Sequence, residues 1–151
     1  MMIREIIDKN EIIPIWQEAF GDSIEDITFF TDNVQNAKCF GYYNDGELAS
    51  MLYFVPCMVE SIYAHYIYAA CTLSKYKGNG YMTEILNYCK ENFDYICLIP
   101  ANEGLVDFYN KRNFTFKYDL SSLKFNQINE ICQYLTEGCT LNNPFLLVYR
   151  R

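Results

Sequence analysis

Tyr68-Ala69-Ala70-Cys71-Thr72-Leu73-Ser74-Lys75-Tyr76-Lys77-Gly78-Asn79-Gly80-Tyr81-Met82-Thr83 changes its period halfway along. With His65, Tyr66 and Ile67, its first six residues read as a strand rich in aromatic and apolar side chains. Beyond the loop from Ser74 to Gly80, residues Met82, Ile85, Leu86 and Cys89 mark one face of an amphipathic helix. Glycines at 78 and 80 remove the Cβ atoms that would block close backbone approach, and they permit positive φ. The N–H groups that open the helix then converge on one spot, where the helix dipole also favours negative charge. A phosphate suits that spot, and Lys77 adds a mobile positive charge. A Walker A loop is excluded, because GxxxxGK followed by Ser or Thr is absent. A dinucleotide fingerprint would require a third glycine where Thr83 stands. What remains is the pyrophosphate of coenzyme A, or a glycine turn that holds no ligand.

The residues before this stretch read as strands and helices in turn. Met2 to Ile7 opens as a strand. Ile12, Ile15, Trp16 and Ala19 then keep helical spacing up to Gly21, where a left-handed cap is cheap. Ser23 with Asp26 resembles a capping box that starts a second helix, through about Asp32. Cys39 to Asn44 and Leu48 to Glu60 read as strands joined by the hairpin turn Asn44-Asp45-Gly46. After the loop helix, Asp94 to Ile99 is a short apolar strand stopped by Pro100. Asn102 is placed to cap a helix on which Leu105, Phe108 and Tyr109 share a face. Phe114 to Tyr118 reads as a strand, Ile128 to Leu135 as a core-packing helical stripe, and Phe145 to Tyr149 as a last strand. The order predicts an α/β (α+β) layer arrangement: a mixed central sheet of about six to seven strands flanked by helices. No Pro/Gly-rich linker or repeat divides the chain, so residues 1–151 read as one domain.

Composition narrows the partners. With 51% hydrophobic and 21% charged residues, the chain can bury a core and is not disordered. A net charge of −7 makes nucleic acid a poor partner and mildly favours a cationic one. The seven cysteines (Cys39, Cys57, Cys71, Cys89, Cys97, Cys132 and Cys139) show no CxxC spacing, so neither a zinc site nor a disulfide framework is suggested. Without a signal-peptide start or an apolar run long enough to span a bilayer, the reading is a reduced, cytoplasmic protein away from membranes.

The run from Tyr68 through Gly80 into its helix resembles the acetyl-CoA motif of the GNAT superfamily of N-acetyltransferases. That motif is Gln or Arg, two residues, Gly, one residue, then Gly or Ala. Lys77 takes the basic position and Gly80 the central glycine, whereas Met82 stands where Gly or Ala is usual. About twenty residues on, Ile99 to Phe114 resembles the second motif of the family, an Asn- or Ala-led helix carrying Phe-Tyr, three residues, then Gly-Phe. Asn102, Phe108 and Tyr109 match it, and Asn113 replaces the glycine, a mild change because Asn tolerates the left-handed region. Trp16 to Ser23 resembles the opening of the branch related to enhanced-intracellular-survival acetyltransferases. Larger members of that branch carry further C-terminal domains, for which a chain ending at Arg151 has no room. Their chain-terminal catalytic carboxylate is therefore not carried over.

The resemblance implies transfer of an acetyl group from acetyl-CoA to a primary amine by direct attack, with no metal. It places the cofactor against Cys71, Thr72, Leu73, Lys77, Gly78, Asn79, Gly80, Tyr81, Met82 and Thr83, with Asn102 near the pantetheine arm. The backbone around Cys71 to Leu73 would face the developing oxyanion. Tyr109 matches the usual general acid, since a phenol with pKa about 10 can protonate a thiolate. For a general base, His65, Glu60, Glu103 and a water chain all stay open, and Cys71 as a nucleophile would imply an acyl-enzyme. The acceptor is polyamine-like, aminoglycoside-like or a protein amine, and a homodimer stays open because dimers are common in the family. A catalytically silent acyl-CoA-binding module is the alternative.

Overall fold

Three long strands form the centre of the sheet because two-residue turns join them. In a computed structural model of the chain, which describes residues 2–151, these are β2 (Lys38–Asn44), β3 (Glu47–Val59) and β4 (Ile62–Thr72). Asp45 (φ 49°) and Gly46 (φ 80°) turn the first hairpin, and Glu60 (φ 48°) and Ser61 (φ 72°) the second. Positive φ at both turn positions matches the twist of paired strands. On one edge, β1 (Ile3–Glu5) pairs with β2, so the strand expected over residues 2–7 forms only at its centre. On the other edge lie β5 (Tyr95–Leu98) and then β8 (Leu146–Arg150), with β6 (Phe116–Tyr118) outermost. The sheet is mixed, since β4 and β5 run parallel while the other pairs run antiparallel.

The sheet holds eight strands rather than six or seven. The additional one, β7 (Leu123–Phe125), pairs with the far end of β3, where Cys57 faces Phe125. At three residues it is too short to show a period. It forms because the pairing of β2 stops at Phe54, leaving the edge of Cys57 to Val59 open. Pro56, which has no N–H to donate, sits where the ladder changes partner.

Alternation along β3 divides the core in two. Met51, Tyr53, Val55, Cys57 and Val59 face α1 (Ile12–Phe20), α2 (Ile24–Asn33) and α5 (Asn129–Thr136). Leu52 and Phe54 face α3 (Tyr81–Asn92) and α4 (Glu103–Asn110). The helical stripes read from sequence fill these layers with Ile12, Ile15 and Trp16, with Ile85, Leu86 and Cys89, and with Ile131 and Leu135. Ile128 caps α5 and stays exposed. Trp16 and Phe30 pack at a tilt with ring centroids 5.5 Å apart, and Phe30 meets Tyr68 of β4 at 4.9 Å, which ties the first two helices to the central strand.

Where β2 crosses Ile6 and Leu48 there is no room for a side chain at Gly41. A Cβ there would lie 2.4 Å from Leu48 Cδ1 and 2.9 Å from Ile6 Cδ1. Gly41→Val is expected to cost about 1–3 kcal/mol by overpacking, read as a lower urea midpoint at unchanged slope. An unchanged midpoint would mean that both aliphatic tips swing aside freely.

Candidate active site

The site follows from the way β4 and β5 part. They pair only at His65–Ile96 and Tyr66–Cys97. β5 then ends at Leu98, followed by Ile99 and Pro100, while β4 runs on to Thr72. In that stretch Leu52 of β3 lies opposite two residues, Ala69 and Ala70, because the register slips between Met51–Cys71 and Tyr53–Tyr68. Ala69 holds φ at 55°, a strained value for a residue with a Cβ, so this is a β-bulge that turns β4 away from β5. A cleft of about 310 Å³ opens in the gap. Its walls include Trp16 and Phe20 of α1, Tyr68 of β4, and Leu105 and Tyr109 of α4.

Past the bulge, β4 leads into the glycine loop. Gly78 (φ 85°) and Gly80 (φ 78°) both adopt the left-handed conformation that the sequence allows, and nothing lies within 4 Å of a Cβ built on either. Gly80 is the N-cap of α3, no side chain caps that helix, and its first internal bond runs from Glu84 N–H to the Gly80 carbonyl. The N–H groups of Tyr81, Met82 and Thr83 therefore lack intrahelical partners and are available to an acceptor. Lys77 is exposed in the loop before them. Neighbours brace the loop: Glu18 of α1 accepts from Ser74 N–H at 2.6 Å, Glu47 from Tyr76 Oη at 2.7 Å and Lys75 Nζ at 2.8 Å. Asn79 Nδ2 donates to the Tyr76 carbonyl at 2.9 Å. The bond from Ser74 holds the Glu18 carboxyl below its usual range. The ring of Tyr81 stacks on Tyr42 at 4.0 Å.

Of the three strand residues assigned to the cofactor, Leu73 has its N–H committed to the Ala49 carbonyl at 2.9 Å. Strand alternation then aims the Thr72 N–H at the opposite edge, the one that β5 has left. Cys71 is buried, and its thiol is pushed up to about 12 by burial, so it holds its proton at neutral pH. Cys71→Ala is accordingly expected to keep turnover within about threefold and intact-mass spectra free of acyl-enzyme. A large loss of activity would restore the covalent route.

Tyr109 is 3% exposed, wedged edge-on between Phe108 at 5.1 Å and Phe114 at 5.4 Å. Every buried side-chain oxygen among the described residues has a partner, yet the Tyr109 hydroxyl makes no hydrogen bond to the protein, so its oxygen opens onto the cleft it lines. Burial pushes the phenol well above its ordinary pKa, against the pull of Arg112. Asn102 accepts from Leu105 N–H at 2.9 Å and caps α4 as expected.

None of the three candidate bases lines the cleft. His65 is boxed by Phe54, Tyr63 and Phe93, and burial lowers its pKa. Glu60 lies in the hairpin turn at the other end of β4, and Glu103 is exposed on α4. The cleft carboxylates are instead Asp22 and Glu137, which no local pattern marks. Arg112 was likewise silent in the sequence: Nε donates to Thr83 Oγ1 at 2.9 Å and Nη1 to the Phe108 carbonyl at 2.7 Å. It brings a positive charge to the first turn of α3. Among the described residues, no group of three or more His, Cys, Asp or Glu could hold a metal ion, and no helix is long and apolar enough to cross a membrane.

A parted parallel strand pair, a bulge and a glycine loop at a helix start define an acyltransferase-type α/β fold. The acetyltransferase (GNAT) domain family matches residues 5–116, and the chain belongs to that family. The match does not single out the enhanced-intracellular-survival branch. Among solved structures, a GNAT family acetyltransferase from Elizabethkingia anophelis with acetyl-CoA bound is 15% identical, with a TM-score of 0.61 over 99% of this chain and 97% of that one. A GNAT acetyltransferase from Staphylococcus aureus Mu50 is 12% identical, with a TM-score of 0.63 over 98% and 97%. A probable N-acyltransferase from Enterococcus faecalis V583 is 19% identical, with a TM-score of 0.59 over 76% of this chain. The chain spans only 33% of that longer protein. No curated protein sequence matches the chain.

Proposed function

We propose that the chain is an acetyl-CoA-dependent N-acetyltransferase acting on a primary amine by direct attack. The observation that carries this reading is that the buried Tyr109 side chain and the β4 edge that β5 leaves, at Ala69 and Ala70, line one cleft, while β4 leads on through the glycine loop to the uncapped α3 N-terminus. The residues present fit acetyl-CoA. The amides of residues 81–83, with Lys77 and Arg112 nearby, suit a pyrophosphate, and the free edge at Thr72 suits an extended amide-bearing arm. When bound, acetyl-CoA supplies an acetyl group, which moves from sulfur to nitrogen. The C–S bond breaks as the C–N bond forms, nitrogen releases a proton to water and sulfur gains one.

The protein's own part is local. Thr72 N–H points to the edge that β5 leaves, where it can donate to a carbonyl oxygen of a bound acyl chain. Tyr109 keeps its proton at the phenol oxygen through neutral pH because burial disfavours the phenolate. The same burial makes giving that proton up costlier than for a free phenol, so the transfer has to be coupled to departure of the thiolate and followed by reprotonation from solvent. Cys71 stays protonated, which favours direct attack over an acyl-enzyme.

Calorimetric titration with acetyl-CoA, compared with a Lys77→Glu/Gly80→Asp protein, tests the cofactor. Thiol release across an amine panel tests the reaction. Saturable binding lost in the variant, together with thiol release, supports the reading. Binding without release from any amine would leave the silent acyl-CoA-binding module instead.

A further inference from the structure

We infer that the acceptor is a small linear aliphatic polyamine, held by Asp22 and Glu137 at the outer end of the cleft while one of its amines reaches toward Tyr109. This rests on the acetyltransferase reading above and names its substrate class. Asp22 follows Gly21 at the end of α1, and its Oδ2 accepts from Trp16 Nε1 at 2.8 Å. That bond orients the carboxylate and leaves Oδ1 for a ligand. Glu137 stands at the end of α5, next to Gly138. Both line the cleft, and no lysine, arginine or histidine lines it with them. The two negative charges face the Tyr68 hydroxyl, whose pKa rises through burial and then through Glu137 and Asp22.

Between the carboxylates and Tyr109 the walls are aromatic or aliphatic: Trp16, Phe20, Tyr68, Leu105 and Leu135. Methylene chains pack on such walls, and ammonium groups gain from nearby ring faces. A sugar amine would leave its hydroxyls without partners there. At the inner end, the Tyr109 side chain is buried as a whole, while its hydroxyl, without a protein partner, opens onto the same cleft. Glu137 also borders a second groove with Glu25, Asp26, Glu130 and Tyr134, so the negative surface continues outward along α2 and α5. An uncompensated acidic funnel concentrates cations. The reacting amine must be neutral, whereas the distal amine stays an ammonium, and only a molecule with at least two amines meets both demands.

The test uses the full chain saturated with coenzyme A or acetyl-CoA. Spermidine binding to the CoA-loaded protein is measured by calorimetry, and kcat and KM are measured for spermidine, for n-butylamine and for a lysine-containing peptide. Asp22→Asn and Glu137→Gln are compared, with thermal melting and acetyl-CoA affinity as folding controls. The expected result is spermidine binding that weakens about tenfold in either variant, through KM more than kcat. The preference of kcat/KM for spermidine over n-butylamine collapses at the same time. Spermidine that fails to bind, or binds both variants equally well, overturns the inference, and so does a preference for the peptide. Polyamine binding sensitive to both residues, without turnover of any amine, would support this acceptor site and overturn only the acetyltransferase reading.

Discussion

Tyr109→Phe lowers kcat by about 100- to 1,000-fold while leaving acetyl-CoA affinity within about twofold, the size of effect general acids supply. The change removes one oxygen and keeps the ring, so the packing on Phe108 and Phe114 persists and the fold is retained. Single-turnover thiol release with saturating acetyl-CoA and amine measures the effect. The pH profile carries a second sign. Burial raises the folded-state pKa above that of the free phenol, about 10, so the proton is held at every pH below that value. No fall in kcat from loss of this acid is therefore expected up to about pH 10. An alkaline limb near neutrality would assign the proton to another group. An unchanged kcat in Tyr109→Phe would move the protonation to solvent.

Gly80→Asp acts on the other half of the site. It weakens acetyl-CoA binding by about 100-fold, the product of like-charge repulsion at a helix N-terminus and loss of close backbone approach. Because nothing lies within 4 Å of a Cβ at this position, the variant has room to fold. Its φ of 78° costs Asp only modestly, since Asp is among the residues that tolerate the left-handed region. Calorimetry gives the affinity, and thermal melting within a few degrees of the parent shows that the loss is local. Equal affinity in both proteins would remove the loop from the cofactor site, and the reading of residues 77–83 with it.

How far the residues foretold this site depends on how local each signal is. The capping bond of Ser23 to Asp26 N–H at 3.1 Å, the Asn102 cap, the left-handed glycines and the three-stranded meander are each decided within a few residues, and all were readable. The positions of Tyr109 and of the loop were readable as well, because two spaced motifs carried them. The base candidates His65, Glu60 and Glu103 came from residue type alone, and none reaches the cleft. Asp22 and Glu137 are 115 positions apart, and only the packing of α1 and α5 against one face of the sheet brings both to one cleft. Leu73 was grouped with its neighbours although its N–H belongs to Ala49, a distinction set by strand register.

Periodicity, capping residues and glycine spacing thus determined most of the elements, their order and the glycine loop, since these depend on short-range sterics and on alternation along one strand or helix. The eighth strand, the bulge at Ala69 and the charge of the cleft were decided only when distant segments met. Pairing of β7 follows from an edge left open by β2, and the parting of β4 from β5 follows from Pro100 and a one-residue slip against β3. Register and edge occupancy are properties of strand pairs, and no single stretch of sequence contains them.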